Sequence, residues 1–582
     1  MKIKRYVSLI LALGMALSLT ACSSPEPTEP APSEPKTASA TMQGFGGDVT
    51  VTLSVEGDKL SDVQIVGDKE TLTVGRVAVD ILSERMMEEN KVSVDKVSGA
   101  TITSSVAIAA AKEALESIGV SEDTLAPGVE SPAINTDTVT TDVIVVGGGG
   151  AGIAAAMAAV DEGKSVVLLE KMGILGGDTA LSGGVRIRAK VEGDPEDTMT
   201  EDDLYDFYME KTNYLSDPDV IRTYADNVTD AMEWANNMGP GVGELTRYRT
   251  TPENIMALQP LEGGTGLINT MKQGLEESGA EIYLNTPAQE LIMEDGIIVG
   301  VKAMRENGQI QEFRANGGVV LACGGFGSNP EMLEKYSTPG ADKVVSLCAK
   351  GGTGDGITMG EKVGAAIRFS EDWDNNGTNS ELSNEYYIAF PQTDAMLVND
   401  KGMRFIREDE QRPHIYKAMR LQLAEEVEGL WFVFDSNTIG EGVDAFIEKG
   451  SAVKADTIEE LAEQMGVDQA NLVATAERYD SFAGQEDPDF NKPSEFMKGL
   501  SEGPFYAVKT WPLRTTTVGG LVINNKTEVL DNNDQPIPHL FAAGEVANYT
   551  FFNSNNPTCG SAVSSAIVFG RIAGTAAAQL AD

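Results

Sequence analysis

The stretch at residues 141–171, TDVIVVGGGGAGIAAAMAAVDEGKSVVLLEK, leaves this chain few choices of fold. Val143, Ile144, Val145 and Val146 are β-branched and apolar on both faces, as a parallel strand covered by helices on both sides requires. Gly147, Gly149 and Gly152 follow at once in the pattern G-x-G-x-x-G. The first permits a tight turn, the second lets a pyrophosphate approach the backbone, and the third lets helix and strand pack closely. The helix over 153–161 would offer its unpaired N–H groups to the anion. Gly163 ends that helix, a second strand covers 166–169, and Glu170 stands where a carboxylate accepts hydrogen bonds from a ribose 2′-hydroxyl. Strand, turn, helix, strand and acid in register predict a dinucleotide-binding βαβ unit.

The remaining length is ample for more. A chain of 582 residues predicts three or more compact units. Its net charge of −45, with no basic stripe, argues against nucleic acid as a partner. The four cysteines, at 22, 323, 348 and 559, form no C-x-x-C, which removes haem attachment, thiol redox pairs and zinc knuckles together. Two histidines, His414 and His539, cannot make a metal cluster by themselves, and no metal site is expected.

Residues 1–22 carry Lys2, Lys4 and Arg5, then an apolar run over 7–19, then Thr20, Ala21 and Cys22. This reads as a secretory signal, too short and wrongly flanked for a spanning helix. Its ending resembles the bacterial lipoprotein lipobox, which implies lipidation at Cys22 and a protein anchored on the extracytoplasmic face of the cell membrane. Residues 23–36 alternate Ser, Pro and Glu, and 23–40 read as a flexible tether.

A small α+β unit follows at 41–119, with strands at 48–55 and 60–66 joined by the turn Glu56-Gly57-Asp58, and helices at about 73–89 and 104–117. Between the helices lies Asp95-Lys96-Val97-Ser98-Gly99-Ala100-Thr101. As a bare pattern, Ser-Gly-Ala-Thr before a helix is also a cap and turn. The whole run resembles the attachment motif of FMN-binding domains, which implies covalent FMN on Thr101, placed there by a separate flavin transferase. A linker at 120–138 leads to the glycine turn.

Beyond Lys171 come Gly176-Gly177-Asp178-Thr179 and Ser182-Gly183-Gly184, then Cys323-Gly324-Gly325, Gly352-Thr353-Gly354-Asp355-Gly356, Ala542-Ala543-Gly544-Glu545 and Gly560-Ser561-Ala562. In this order they resemble the fumarate reductase and succinate dehydrogenase flavoprotein family, in particular its exported branch. The resemblance implies FAD contacts at Gly147, Gly149, Ala151, Gly152, Glu170, Asp178, Thr179, Gly184, Ala288, Asp355, Glu545, Ser561 and Ala562. Asp178 departs from the asparagine common there. The implied plan is α/β: a Rossmann-type FAD-binding domain in two parts, 139–364 and 513–582, an inserted α+β capping domain at 365–512, and the small α+β FMN-binding domain ahead of them.

Reducing a polarised C=C requires hydride at one carbon and a proton at the next, with developing charge held by positive groups. The family places its proton donor after a run that here reads Ala395, Leu397, Val398, Asn399, Gly402, Arg404, Phe405 and Glu408, and the corresponding arginine is Arg412. The ordinary pKa of arginine favours electrostatic stabilisation, the resemblance favours proton relay, and both roles use Arg412. The family's substrate-gripping groups do not carry over. Two histidines fall on Thr515 and Thr516, an arginine falls on Pro557, and its His-Pro is Phe390-Pro391. Fumarate is therefore not the expected substrate.

In their place stand Tyr386, Tyr387, Phe390, Trp511, Tyr549, Phe551, Phe552, Asn553 and Asn555, some of them packing residues and the rest suited to a flatter conjugated substrate such as an aryl-acrylate, a urocanate-like acid or an enone. Arg514 is a candidate cation for one carboxylate, and Glu408, Asp409, Glu410 and His414 are candidates for a replacement proton relay. The expectation is an exported reductase of anaerobic respiration that passes electrons from FMN through FAD. With no second nucleotide fold, its donor is expected to be a membrane quinol chain or another flavinylated lipoprotein. The rivals are a ketosteroid-type FAD dehydrogenase and an electron-transfer flavoprotein with no small-molecule substrate.

Overall fold

The computed structural model describes residues 35–44, 47–67, 69, 75–97, 100–128, 136–248, 252, 254–306, 309–370, 392–410, 412–425, 427–439, 443–553 and 555–581. The signal sequence, Cys22, Tyr386, Tyr387, Phe390 and Pro391 lie outside them.

The N-terminal unit is a three-stranded antiparallel sheet, β1 (Lys36–Gln43), β2 (Asp48–Glu56) and β3 (Lys59–Val66), with helices α1 (Gly75–Glu89) and α2 (Thr101–Ser117). Strict alternation along β2 buries Val49, Val51, Leu53 and Val55 against Ala107, Ala110, Ala111 and Ala114 of α2. Strand β1 corrects the sequence reading, which placed residues up to 40 in a tether. Its Thr-Ala-Ser-Ala-Thr run has no strong apolar alternation. It is held by its full ladder with β2 and by hydroxyl pairs across the strands, Thr37–Ser54 and Ser39–Thr52 at 2.7 Å and Thr41–Thr50 at 2.8 Å.

The chain then enters a second sheet at β4 (Val139–Thr141) and the main sheet at β5 (Val143–Val146), followed by helix α3 (Gly150–Asp161) and strand β6 (Val166–Leu169). The main sheet has six strands in the order Glu281–Tyr283, β6, β5, Val319–Leu321, Pro536–Ala542 and Glu528–Leu530, parallel except for the last pair. All four residues of β5 and of β6 are buried, as their unbroken apolar runs require.

The C-terminal helix Ser561–Gln579 lies against α3. It is long and apolar enough to cross a membrane, but 67% of its apolar window is buried within the fold. The two helices touch through small residues. A Cβ on Gly570 would stand 2.4 Å from Ala151 O, and one on Gly574 2.0 Å from Ala155 O.

Between Val319–Leu321 and Glu528–Leu530 the chain leaves the main sheet to build another body. Strand Ile367–Phe369 pairs antiparallel with Gly519–Leu521 at the crossing. Beyond it, Met396–Asn399, Leu430–Phe434, Phe505–Thr510 and Ala452–Ala455 form a four-stranded antiparallel sheet with helices Arg412–Ala424, Ile458–Met465 and Gln469–Asp480. Both faces of this sheet are covered, one by a core around Phe432, Phe434 and Phe446, the other by a core around Trp431, Leu461 and Tyr479.

Candidate functional site

The glycine turn is as tight as its spacing implies. Gly147 has φ 106°, and a Cβ there would meet Ala322 O at 2.2 Å. A Cβ on Gly152 would fall 1.8 Å from Gly147 O, so the third glycine is set by the approach of α3 to the turn. Gly149 differs: a Cβ there meets no protein atom nearer than 3.8 Å. The space over Gly149, at the N-terminus of α3, is the room a pyrophosphate requires.

Glu170 follows β6 and is half-buried. Its carboxylate accepts from the N–H of Gly148 and of Met172, both at 2.7 Å. Burial pushes its carboxyl above the usual range, while these two N–H groups favour the anion. The next segment closes on it: Thr286 N–H donates to Glu170 O at 2.8 Å and Asn285 N–H to Met172 O at 3.1 Å, which brings the strand starting at Ala288 alongside.

Asp178 and Thr179 sit in a five-residue helix at Gly177–Leu181, tied to the turn by Gly176 N–H donating to Gly148 O at 2.8 Å. Asp178 accepts from Ala349 N–H at 2.6 Å. A Cβ built on Gly150 would meet Thr179 Oγ1 at 2.6 Å, and one on Gly184 would strike the Gly263 backbone at 2.6 Å, so both segments are pressed against neighbouring chain.

Asp355 accepts from Lys171 Nζ at 2.6 Å and from Thr353 Oγ1 at 2.9 Å, and Lys171 also donates to Thr353 Oγ1 at 2.6 Å. Glu545 is half-buried and accepts from the Thr517 hydroxyl at 2.7 Å and its N–H. Burial raises the carboxyl pKa of both Asp178 and Glu545, and the negative charge of Asp178 raises Glu545 further. These residues thus gather beyond the C-terminal ends of the main-sheet strands, where open α/β sheets bind their ligands.

Ser561 opens the C-terminal helix. Its hydroxyl lies 2.7 Å from Tyr208 Oη and donates to Thr558 O at 2.8 Å, and Tyr208 Oη lies 3.3 Å from Tyr224 Oη. All three side chains are buried. With its own proton on Thr558, Ser561 takes the Tyr208 proton, which leaves the backbone N–H groups of the helix start to face a ligand.

Lys171, Thr353, Thr517 and Tyr208 are not among the contact residues that the sequence names. Thr353 and Lys171 adjoin named positions. Tyr208 and Thr517 are separated in sequence from the residues they hold and had no local signal.

The site residues as a whole fit FAD. An open space lies above Gly149, Glu170 keeps lone pairs for a ribose, and two helix N-termini converge on the strand ends. In the N-terminal unit, Thr101 is the first residue of α2, while its side chain, Ser98 and Gly99 lie outside the described residues. The segment before it is fixed from the helix side: buried Ser104 accepts from Val97 N–H at 3.1 Å, and Ala100 N–H donates to Val97 O at 3.1 Å.

Arg412 opens the helix Arg412–Ala424, and its side chain lies outside the described residues. The segment leading to it is anchored by charge. Glu408 accepts from Leu397 N–H at 2.8 Å, from Arg404 at 3.1 and 3.0 Å and from Lys492 Nζ at 2.9 Å. Arg404 also reaches Asp487 at 2.8 Å, and Lys492 donates to Tyr479 Oη at 2.8 Å. Glu408 is therefore a structural anchor rather than the proton relay that sequence suggested. Asp409 is held by Arg407, and Glu410 faces His414 at 3.3 Å with both side chains partly exposed.

One further expectation is corrected, and two of the aromatic positions prove to be packing residues. Arg514 is buried, donating to the carbonyls of Gly327 and Ala341, and clasps the chain there rather than standing as a spare cation. Phe551 and Phe552 are 2% exposed and pack with Tyr208, Tyr224 and Phe569, so they are core. Asn553 and Asn555 donate to the carbonyls of Leu215 and Lys211, both at 3.2 Å, and Trp511 to Lys343 O at 3.2 Å. Thr515, Thr516 and Tyr549 remain half-buried.

Comparison with known proteins adds an independent line. The FAD binding domain family matches residues 142–563 and the FMN-binding domain family residues 44–116. The chain is similar to urocanate reductase of Eggerthella lenta, with 32% identity over 621 aligned residues and 98% of each chain covered. It is 29% identical over 450 residues to a fumarate reductase (cytochrome) of Shewanella frigidimarina, covering 76% of this chain and 77% of that one. Among solved structures, the open conformation of a flavocytochrome c3 fumarate reductase matches with a TM-score of 0.62 at 27% identity, over 76% of this chain and 79% of the other.

Proposed function

Because the chain belongs to the fumarate reductase and succinate dehydrogenase flavoprotein family, and carries an FMN-binding domain ahead of its FAD-binding fold, it is an FAD-dependent oxidoreductase acting on carbon–carbon double bonds, and we propose that its substrate is a conjugated unsaturated acid of the urocanate or aryl-acrylate class. The observation that carries this reading is end-to-end similarity to a urocanate reductase over both flavin units. The half-buried hydroxyls of Thr515 and Thr516 agree with it, since a pair of neutral donors suits a substrate with one carboxylate better than a dicarboxylate.

When bound, FAD supplies the hydride for the double bond and FMN the electrons that replenish it. The residues do the rest. Glu170 and the turn at Gly147 to Gly152 hold the dinucleotide, and Thr101 carries FMN after a flavin transferase has acted. The body around Glu408 covers the site and excludes water. To Arg412, by its place in the family's motif, we assign the positive charge that holds the developing negative charge and the proton for the adjacent carbon. The Glu410–His414 pair, being exposed, resupplies that proton from solvent.

In this reading the protein is exported and lipid-anchored through Cys22 on the extracytoplasmic face of the cell membrane. It takes electrons from a membrane quinol chain or another flavinylated lipoprotein, and serves anaerobic respiration. The test is oxidation of reduced viologen by protein loaded with both flavins, on addition of urocanate, an aryl-acrylate, an enone or fumarate. Turnover with the first two is expected. Turnover with fumarate alone, or with none of the four, would overturn the assignment.

A further inference from the structure

Among the described residues, an ion pair joins the two flavin-binding units, and its surroundings give it a purpose. Arg85, on α1, donates from Nη2 to Glu306 Oε2 at 3.2 Å, and from Nη1 to Asp95 O at 2.9 Å. Asp95 begins the segment that ends at Thr101. Glu306 lies just beyond strand Ile297–Met304, and its other oxygen accepts from Asn285 Nδ2 at 2.7 Å. Asn285 in turn donates its N–H to Met172 O, and Met172 donates its N–H to the Glu170 carboxylate. A continuous series of hydrogen bonds therefore runs from the FMN attachment segment to the carboxylate expected to hold the FAD ribose.

The connection between the units is anchored at both ends close to this point. Gly128 lies against the C-terminal end of α1, where a Cβ would stand 2.2 Å from Glu89 C. On the far side, Gln311 donates to Asp137 O at 2.8 Å, and Val139 pairs with Phe313. The chain between Gly128 and Thr136 reaches roughly 30 Å at most when fully extended. Arg305, next to Glu306, is braced by Gln311 at 2.7 Å and stacks over Tyr283 at 4.7 Å. A tether this short holds the partners at an effective concentration on the order of millimolar, so a single partly exposed ion pair, weak between free proteins, is enough to select one docked arrangement.

We propose that the Arg85–Glu306 pair is the latch that docks the FMN-binding unit on the FAD-binding unit, beside the ribose end of the dinucleotide site. The latch rests on the electron route from FMN to FAD given above. It fixes the attachment segment through the Asp95 carbonyl at the same time as it fixes the units, so docking and presentation of FMN are one event. Added salt loosens it, because both side chains are partly exposed.

The test uses the full chain carrying both flavins, as the unmodified protein, Arg85→Glu, Glu306→Arg and the exchanged pair Arg85→Glu/Glu306→Arg. Small-angle X-ray scattering should give a larger radius of gyration for each single variant and return to the original value in the exchanged pair. After flash reduction of FMN, transfer to FAD should slow several-fold in each single variant and recover in part in the exchange, where the ion pair is restored but a carboxylate at position 85 cannot donate to the Asp95 carbonyl. Unchanged dimensions and transfer rates in both single variants would overturn the latch. Dimensions that respond while the unmodified protein shows no transfer between flavins would uphold the latch and overturn the electron route.

Discussion

Lys492 Nζ lies 2.9 Å from Glu408 Oε2, and neither side chain exposes any surface. The pair joins the loop after strand Met396–Asn399 to the loop before strand Phe505–Thr510, four residues ahead of Arg412. Arg404 and Asp487 complete it, with Arg404 stacked between Tyr479 and Phe490 at 4.8 Å from each ring. Removing one partner of such a pair leaves a buried charge uncompensated. Lys492→Met should cost about 3–5 kcal/mol of stability, read as a lower urea midpoint. A loss under about 1 kcal/mol would mean that Arg404 alone balances Glu408.

Glu170 is the acceptor for two backbone N–H groups as well as the expected ribose contact. Glu170→Ala leaves Gly148 and Met172 without that acceptor, at about 1–3 kcal/mol. FAD affinity should fall by about ten- to a hundredfold, measured by flavin fluorescence on dilution. Unchanged affinity would remove Glu170 from the site.

Asp178 and Glu545 predict a pH dependence of the flavin-free protein. Both carboxyls have folded pKa values raised by burial, so the folded state binds more protons than the unfolded chain once pH exceeds the ordinary carboxyl range. Their contribution to stability is greatest below that range and declines as pH rises through the folded values. Melting temperature should therefore fall from about pH 5 to about pH 8, and the fall should be shallower in Asp178→Asn. A parallel fall in the variant would assign the dependence to other groups.

Thr101 and Arg412 carry separable predictions. Thr101→Ala should abolish protein-bound fluorescence of FMN on a denaturing gel while FAD remains bound. Arg412→Met should retain both flavins and lose turnover by two or more orders of magnitude, roughly the contribution of a positioned acid. If Arg412→Met keeps its rate, the proton comes from elsewhere.

The part of the fold that was legible in sequence is the part carried by short-range pattern. The glycine turn, β5, β6 and α3 could be read because each has a local reason, whether an apolar run, a spacing or a close approach. Strand β1 could not, because what fixes it is a row of hydroxyls on β2 that sequence alone does not pair with it. The same division holds at the site. Glu170 ends an apolar strand at a fixed distance from the glycine turn and Asp355 stands inside a glycine-rich run, whereas Tyr208, which fixes the Ser561 hydroxyl from 353 residues away, has no local signature. Arg514 misled for the opposite reason. An arginine looks available in a sequence, and only packing shows that carbonyls have already claimed it.

The main sheet draws β5, β6 and Val319–Leu321 from the first part of the chain and Pro536–Ala542 from its last fifty residues. That arrangement sets an order of assembly. The N-terminal unit closes from neighbouring segments and can mature by itself, while the dinucleotide site stays open on one side until nearly all of the chain has been synthesised. Contacts of such long sequence separation form late, so a flavin can be attached to the N-terminal unit before the sheet beside it is complete.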